Sequence, residues 1–339
     1  MDSLTHLFVG GAIAAAIAPP GHRRAALLAG AALNSLPDLD VLPLLLFSDD
    51  PVVRMTWHRG ATHSLLVLPF VAWALWAWFK RRRGRVAEAP RRWFWVFQCT
   101  LLAHPLLDAL TVYGTQLLWP LPMPPVMWST LFIIDPMLTL PLLLACVVAW
   151  FARERIAAQR ALVCGMALAA GYIGWSLIAK AMVEREAARS LARLDLADAP
   201  RFSVPMPFNT LLWRVVAMTP DGFVEGEHSL VADRGPIRFQ AYRSDIAALG
   251  ATRGFPSVAR LLWFNHHFMK AEVRDGELVL SDLRMGAEPD YTFRFAVAAR
   301  NMDGRWRAIP PEDPDWRHTK RILGVMWQRI WRQPDSQPQ

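Results

Sequence analysis

The N-terminal half of the chain alternates long apolar runs with short polar loops. A membrane-spanning helix needs roughly 17–25 predominantly apolar residues, and most of these runs approach or reach that length. Small-residue pairs within the runs, Gly10/Gly11 and Gly171/Gly174, indicate close helix packing. The pattern predicts an α-helical polytopic membrane bundle over residues 1–180 with about six spans: Leu4–Pro19, Ala25–Phe47, His63–Phe79, Trp93–Trp119, Leu131–Phe151 and Ala161–Lys180.

After Lys180 the long apolar runs end, and the pattern of apolar positions changes in two steps. Residues 181–200 keep a helical spacing and predict a helical connector. Residues 201–310 alternate short apolar runs with Gly- and Asp-containing turns, which predicts a smaller β-rich α+β domain. Residues 311–339 predict an amphipathic helix, docked on this domain or lying at the membrane surface, and a disordered tail from Gln333. The strands are predicted at Leu212–Met218, Gly222–Val231, Ile237–Tyr242, Glu277–Leu283 and Tyr291–Val297, with a helix at Pro256–Phe268.

The charge distribution supports this division and indicates an orientation. The chain has 339 residues, with 37 Lys+Arg against 29 Asp+Glu. The loops Pro20–Arg24, Lys80–Arg92 and Ala152–Arg160 carry 12 basic residues, whereas the alternate loops 48–62 and 120–130 carry two. This bias fits membrane topology and argues against nucleic acid as a partner. It predicts a multi-pass protein of the bacterial inner membrane whose N-terminus and C-terminal domain are extracytoplasmic.

Ionisable residues interrupt the apolar half, where an unpaired charge costs several kcal/mol and is a functional candidate by default. At about 1.5 Å rise per residue, those on five spans fall in one layer, roughly 18–27 Å from the basic ends of the spans. Membrane lipids are therefore the expected surroundings of a site near the outer face. The residues are His6, Asp38, Asp40, His58, His63, His104, Asp108 and Asp135.

The local spacings favour metal binding. His104 and Asp108 are four residues apart and project from one helix face. Pro37 interrupts the helix just before Asp38, and His58 and His63 flank a glycine. Imidazole with carboxylate is a ligand set for zinc, with manganese or iron as alternatives. We predict metal ligands at His6, Asp38, Asp40, His58, His63, His104 and Asp108.

Other residues near these ligands have predicted roles with a structural alternative. Arg59 is predicted to hold an anionic phosphoryl group, with an interface arginine as the alternative. Arg59 and Asp40 are the predicted catalytic residues. Thr62 and Ser64 are predicted to support the ligands, or to cap a helix. Asp135 precedes Pro136, so it is either a further site residue or the cap of the fifth helix.

The same residues carry a family resemblance. At Thr5-His6, Pro37–Asp40, His58–Ser64 and His104–Asp108 the sequence resembles the YdjM-like inner-membrane proteins, which are described as metal-dependent hydrolases. The order of ligands is also similar to that of zinc-dependent phospholipase C, in which an N-terminal group, Asp and His residues and an HxxxD pair surround clustered zinc ions. These resemblances imply a phosphoester hydrolase holding one to three metal ions.

We therefore expect a membrane-embedded hydrolase of lipid or lipid-linked phosphoesters. One alternative is a metal or proton transporter, although the inner halves of the predicted spans carry few ionisable groups. The other is a non-catalytic membrane protein whose metal only holds the helices together.

Overall fold

The chain folds into two compact units. The computed structural model describes residues 1–314 and 323–333. The helical unit contains Met1–Leu46 and Trp57–Ser176, and the β unit contains Phe47–Thr56 and the described residues from Leu177 onward. One long helix, Ile156–Ala192, contributes its first part to the helical unit and its last part to the β unit.

The helices of the N-terminal half begin at caps and prolines that the sequence supplies. Asp2 accepts hydrogen bonds from the backbone N–H groups of Leu4 and Thr5 and so caps the first helix. Pro37 starts a 3₁₀ turn, Pro37–Asp40, and a second such turn is Ala61–His63. The helices are α1 Ser3–Ile17, α2 Arg23–Ser35, α3 Val41–Phe47, α4 Pro51–Trp57, α5 Leu68–Arg81, α6 Arg85–Glu88, α7 Pro90–Ala109, α8 Pro136–Ala152 and α9 Ile156–Ala192.

Helices α1 and α2 cross at a pair of glycines. A Cβ atom on Gly10 would overlap the Gly30 carbonyl oxygen, and one on Gly30 would overlap the Gly10 carbonyl oxygen. The predicted close packing at Gly10/Gly11 is therefore confirmed. The prediction for Gly171/Gly174 is wrong, because a Cβ atom at either position would have no neighbour within 4 Å among the residues that the structure describes.

Six separate membrane spans are not supported. Among the described residues, two helical segments are long and apolar enough to cross a membrane: Pro20–Phe47 and Ile156–Ala192. A third span results if Pro51–His63 and Leu68–Arg81, which are bent by 59°, count as one. Helices α1 and α8 have 15 and 17 residues. At about 1.5 Å per residue they are shorter than the roughly 30 Å hydrocarbon core.

The helix of the predicted fourth span has 20 residues, long enough to cross a membrane, but it is not among the candidate spans because polar residues such as Gln98, His104 and Asp108 interrupt its apolar sequence. It is also shorter than predicted. This helix, α7, ends at Ala109 rather than at Trp119. The following residues form an irregular segment held by a backbone bridge between Thr115 and Val126. The apolar composition continued past Ala109, but the helix did not.

The β unit contains two four-stranded antiparallel sheets, in the orders β1-β2-β3-β4 and β10-β9-β6-β5. The part of α9 that belongs to this unit packs Ala179, Val183 and Ala187 against Trp213 and Val215 of the first sheet. The strands are β1 Arg201–Pro205, β2 Leu212–Thr219, β3 Gly222–Ser229, β4 Gln240–Arg243, β5 Met269–Arg274, β6 Glu277–Asp282, β7 Gly286–Ala287, β8 Asp290–Tyr291, β9 Arg294–Arg300 and β10 Trp306–Glu312.

The strand-rich character predicted for this region is confirmed, with shifted boundaries. The predicted helix after Pro256 is present, and it ends at Phe264. The predicted C-terminal helix is described from Leu323 to Trp331, while residues 315–322 and the tail 334–339 lie outside the described residues. The helices of this region are α10 Ile246–Thr252, α11 Pro256–Phe264 and α12 Leu323–Trp331.

Candidate metal centre

The predicted site residues come from helix breaks and from one helix face. The turn Pro37–Asp40 separates α2 from α3, and the turn Ala61–His63 lies where the chain bends before α5. His104 and Asp108 lie on the last two turns of α7. Non-helical backbone at membrane depth is tolerated where protein buries it or where it lines a cavity. The breaks thus place side chains inside the helical unit.

Four of these side chains converge on one point: Asp38, His63, His104 and Asp108. The Nε2 atoms of His63 and His104 are 2.9 Å apart. Asp38 Oδ1 lies 3.4 Å and 3.3 Å from these two nitrogens, and Asp108 Oδ2 lies 3.3 Å and 3.4 Å from them. His63, His104 and Asp108 are fully buried, whereas the Asp38 side chain is 27% exposed. Asp38 therefore marks the accessible side of the cluster.

The hydrogen bonds behind the two imidazoles fix where their protons lie. His104 Nδ1 is 2.5 Å from the Asn34 carbonyl oxygen, so it carries a proton and donates it. The Thr62 hydroxyl donates to Asp40 Oδ2 at 2.7 Å and therefore accepts from His63 Nδ1, 3.0 Å away. In neutral imidazoles both Nε2 atoms then present lone pairs to each other. Two such acceptors at 2.9 Å repel unless a proton or a metal ion lies between them.

The donor set fits a divalent ion. Tetrahedral coordination with bonds of about 2.0–2.1 Å places neighbouring ligand atoms about 3.3–3.4 Å apart, close to the nitrogen–oxygen distances of this cluster. Asp38 Oδ1 and Asp108 Oδ2 are buried atoms without a hydrogen-bond partner in the described part of the chain. Unsatisfied buried oxygens are rare unless an ion or water satisfies them. Two imidazoles with two carboxylates suit zinc, manganese or iron.

The predicted ligand His6 contacts this cluster from behind. Its Nε2 lies 3.2 Å from Asp108 Oδ1, the oxygen that faces away from the two imidazoles, and its ring stacks on His104 at 3.9 Å. The α-amino group of Met1 also contacts Asp108 Oδ1. His6 is thus placed to orient a ligand. Its prediction as a ligand itself stays a prediction.

Asp40 and His58 form a pair of their own beside the cluster. His58 Nδ1 donates to Asp40 Oδ1 at 2.7 Å, and the backbone N–H of Arg59 donates to Asp40 Oδ2 at 3.1 Å. The His58 ring is 5.8 Å from the His63 ring. Both residues lie outside the group of four convergent side chains. Asp40 and His58 are hydrogen-bonded to each other. Their prediction as metal ligands stays a prediction.

Arg59 is buried and held in an unusual backbone conformation. Its φ of 63° lies in the left-handed region, which costs a non-glycine residue about 1–2 kcal/mol. Its Nη2 lies 3.1 Å from Asp108 Oδ1, and its guanidinium lies 4.8 Å above the Tyr113 ring. The buried Nε has no hydrogen-bond acceptor among the described residues. Backbone strain and a free donor at one residue are typical of a functional site.

The two remaining candidates have structural roles. Asp135 caps α8 by accepting from Met137 N and Leu138 N, and Tyr172 donates to its other oxygen at 2.8 Å. The Ser64 hydroxyl donates to the Trp119 carbonyl at 2.6 Å and accepts from Leu66 N. The capping alternative is therefore what the structure shows for Asp135. Ser64 ties two loops together.

The sequence interpretation missed Asn34. Its carbonyl fixes His104, and its side-chain amide donates to the His6 carbonyl at 2.7 Å. Asn34 follows the apolar run Ala25–Leu33 in the sequence, which was an available signal, and the structure buries it fully. Asn34 carries no charge, so it is not one of the ionisable residues on which the prediction of the site was based.

Replacing Thr62 with Val should weaken metal binding about 10–100-fold, the usual effect of removing a group that orients a ligand. The methyl group can neither accept from His63 nor donate to Asp40. Competition with a chelator of known affinity measures the change. Thr62→Ser keeps the hydroxyl and should bind metal like the wild type; equal affinities for the Ser and Val variants would show that the hydroxyl orients nothing.

Together the helical unit and its His/Asp cluster define a helical membrane protein with a buried candidate metal centre. Residues 1–183 match the model of the YdjM inner membrane protein family. The chain belongs to this family, as its motifs had indicated. No curated protein and no solved structure matches the chain.

Proposed function

We propose that the chain is a membrane-embedded, metal-dependent hydrolase of a lipid or lipid-linked phosphoester. The observation that carries the proposal is the close approach of the Nε2 atoms of His63 and His104, 2.9 Å apart between two buried carboxylate oxygens that have no hydrogen-bond partner among the described residues. A bound divalent ion would act as a Lewis acid and lower the pKa of water towards 7.

The charge of the surrounding residues supports a cation at this point. Asp38, Asp40 and Asp108 are opposed by the Arg59 guanidinium and the Met1 α-amino group. With neutral imidazoles and a charged amino group, this leaves one excess negative charge. Burying excess charge is costly unless a partner compensates it. The four convergent side chains would hold the ion.

Two neighbouring residues can act on a substrate. The unpaired Nε of Arg59 is a charged donor suited to a phosphoryl oxygen. Asp40 accepts the Nδ1 proton of His58, which leaves His58 Nε2 free to accept a proton or to donate one after protonation. His58 is 21% exposed on its side chain, so its ring is within reach of water. We assign proton transfer to His58 and its orientation to Asp40.

The proposal includes a membrane topology for the chain. The basic loop Lys80–Arg92 would lie in the cytoplasm, since positively charged loops stay inside. The chain would then cross the membrane several times, with its N-terminus and β unit outside. Substrate would reach the cluster from the outer half of the bilayer, on the side that Asp38 exposes.

Metal content tests the centre directly. Wild-type protein purified in detergent should contain at least one equivalent of zinc, manganese or iron by mass spectrometry. His104→Ala should lose most of it, because one of four ligands is gone. His267→Ala, which changes an exposed histidine of the β unit, is the matched control and should keep the wild-type content. Equal metal in all three proteins would make the cluster a buried polar network.

A second arm separates the roles of the neighbouring residues. His58→Gln should keep its metal but lose hydrolysis of bis(p-nitrophenyl) phosphate and of phospholipid vesicles. Loss of metal in this variant would make His58 a ligand instead.

A structural metal is the second candidate function, because four protein ligands can close a tetrahedral shell. Metal that is bound by the wild type, lost in His104→Ala and accompanied by no hydrolysis would favour this role.

A further inference from the structure

The β unit carries an exposed aromatic surface at one end of its first sheet. Trp327 and Trp331 of α12 are 62% and 54% exposed, and their rings lie 6.2 Å apart. Phe208 and Val231 are 40% and 39% exposed in the loops at the same end of the sheet. We call these four residues the aromatic surface. Monomeric soluble domains rarely expose such patches without a partner.

Helix α12 holds this surface in place by its other face. Ile330 is buried with Met206 and Leu212. The Ser229 hydroxyl donates to the Ile330 carbonyl at 2.6 Å, and Arg329 forms two hydrogen bonds with Asp233, at 3.0 Å and 2.6 Å. The helix is therefore docked on the sheet, and the tryptophans project from a different face. Residues 323–333 contain no carboxylate, so this face carries no charge that would repel lipid headgroups.

The partner of the aromatic surface can be inferred from the position of α9. The first residues of α9 in the β unit lie at the same end of the sheet as the aromatic surface. Lys180 Nζ donates to the Ser203 carbonyl at 2.9 Å and lies 6.0 Å from the Trp213 ring. Trp213 pairs with Pro205, directly before the loop that carries Phe208. The aromatic surface is thus level with the first turns of α9 inside the β unit.

The exposed side chains of α9 change character at this level. Leu177, Ile178 and Met182 are 51%, 58% and 44% exposed, whereas Arg185 and Arg189 are the exposed residues of the next two turns. The apolar part belongs to a segment long enough to span a membrane. The exposed side chains of α9 therefore change from apolar to charged just after Met182, close to the level of the aromatic surface.

We propose that the aromatic surface lies in the headgroup region of the bilayer that α9 enters. Tryptophan is enriched at membrane–water interfaces because its ring is apolar and its N–H is polar. The φ of 65° at Phe208 fits this role, since a strained backbone presents an exposed aromatic ring. This contact would attach the β unit to the membrane at a second point besides α9. It does not depend on the hydrolase activity.

Spin-label accessibility tests the contact in the full chain, reconstituted in nanodiscs of phosphatidylcholine and phosphatidylglycerol. Cys99, Cys146 and Cys164 are replaced by Ala, and one label is placed at position 208, 327 or 331. We expect oxygen to relax these labels more than a water-soluble nickel chelate does. A label at the fully exposed Met302 is the control and should show the opposite preference. Nickel preference at all four positions would overturn the proposal. So would spin–spin broadening that disappears on dilution with unlabelled chain, because a second copy would then cover the surface.

A second measurement uses the chain with its native cysteines, so that misfolding of the cysteine-free, labelled chain cannot explain the result. Brominated lipids quench tryptophan in the bilayer, and Trp327 and Trp331 are two of 16 tryptophans. Trp327→Phe/Trp331→Phe should lower the quenchable part of the fluorescence. A loss confined to the unquenchable part would contradict the contact.

Discussion

Replacing Asp108 with Asn is expected to remove the metal and to destabilise the metal-free protein by about 3–5 kcal/mol, the usual cost of leaving a buried charge unpaired. Asp108 is fully buried, and its Oδ1 forms ion pairs with Arg59 Nη2, 3.1 Å away, and with the Met1 α-amino group. An amide offers these cations no opposite charge. Its Oδ2 faces His63 and His104, so the same substitution removes one of the four candidate ligands.

Thermal unfolding in detergent with a chelator measures the loss of stability of the metal-free protein. Metal content, determined without the chelator, measures the loss of metal binding. Asp38→Asn is the matched control, because Asp38 contacts the two imidazoles, is partly exposed and has no ion pair with Arg59 among the described residues. It should lose metal yet unfold near the wild-type temperature when metal-free. Adding Arg59→Met to Asp108→Asn should restore part of the lost stability. Equal unfolding temperatures for the two Asn variants would show that Asp108 does not compensate these cations.

Four of the predicted ligands, Asp38, His63, His104 and Asp108, converge in the structure, but the sequence did not predict which oxygen or nitrogen of each makes which contact. The spacing of His104 and Asp108 placed both on one helix face, and Pro37 predicted the break that carries Asp38. The two oxygens of Asp108 have different contacts because residues of α1 and Met1 reach Oδ1 when α1 packs against α7. No local sequence pattern predicts this packing. The pairing of Asp40 with His58 joins residues 18 apart and likewise required the tertiary fold.

The dependence on tertiary structure and local helix ends also explains why more membrane spans were predicted than the structure supports. Hydropathy measures composition, and the composition of residues 1–180 is apolar nearly throughout. Where a helix ends depends on local groups, such as Pro37 or the irregular segment after Ala109. In the β unit the period of two and the Gly- and Asp-containing turns are local signals, so the strand at Leu212 was located to within one residue of its observed end.

Replacing Gly10 with Ala is expected to destabilise the helical unit by about 1–3 kcal/mol, the usual cost of overpacking, and to weaken metal binding at least about tenfold. The added methyl group would overlap the Gly30 carbonyl and the Asn34 side chain, so α1 and α2 must separate. Asn34 lies at this crossing and holds His104 through its carbonyl and α1 through the His6 carbonyl. Any separation therefore displaces a ligand that Gly10 does not touch.

Gly171→Ala is the matched control in the same unit, and we expect it to cause no loss of stability. Position 171 lies in α9, where the new methyl group would have no neighbour within 4 Å. Alanine favours helix over glycine by about 0.5–1 kcal/mol, so this variant should be as stable as the wild type or slightly more stable. Thermal unfolding and chelator competition on both variants give the comparison. If Gly10→Ala matched Gly171→Ala in both measurements, the helix crossing would not control the position of His104, and the link from the glycine pair through Asn34 to the metal centre would be wrong.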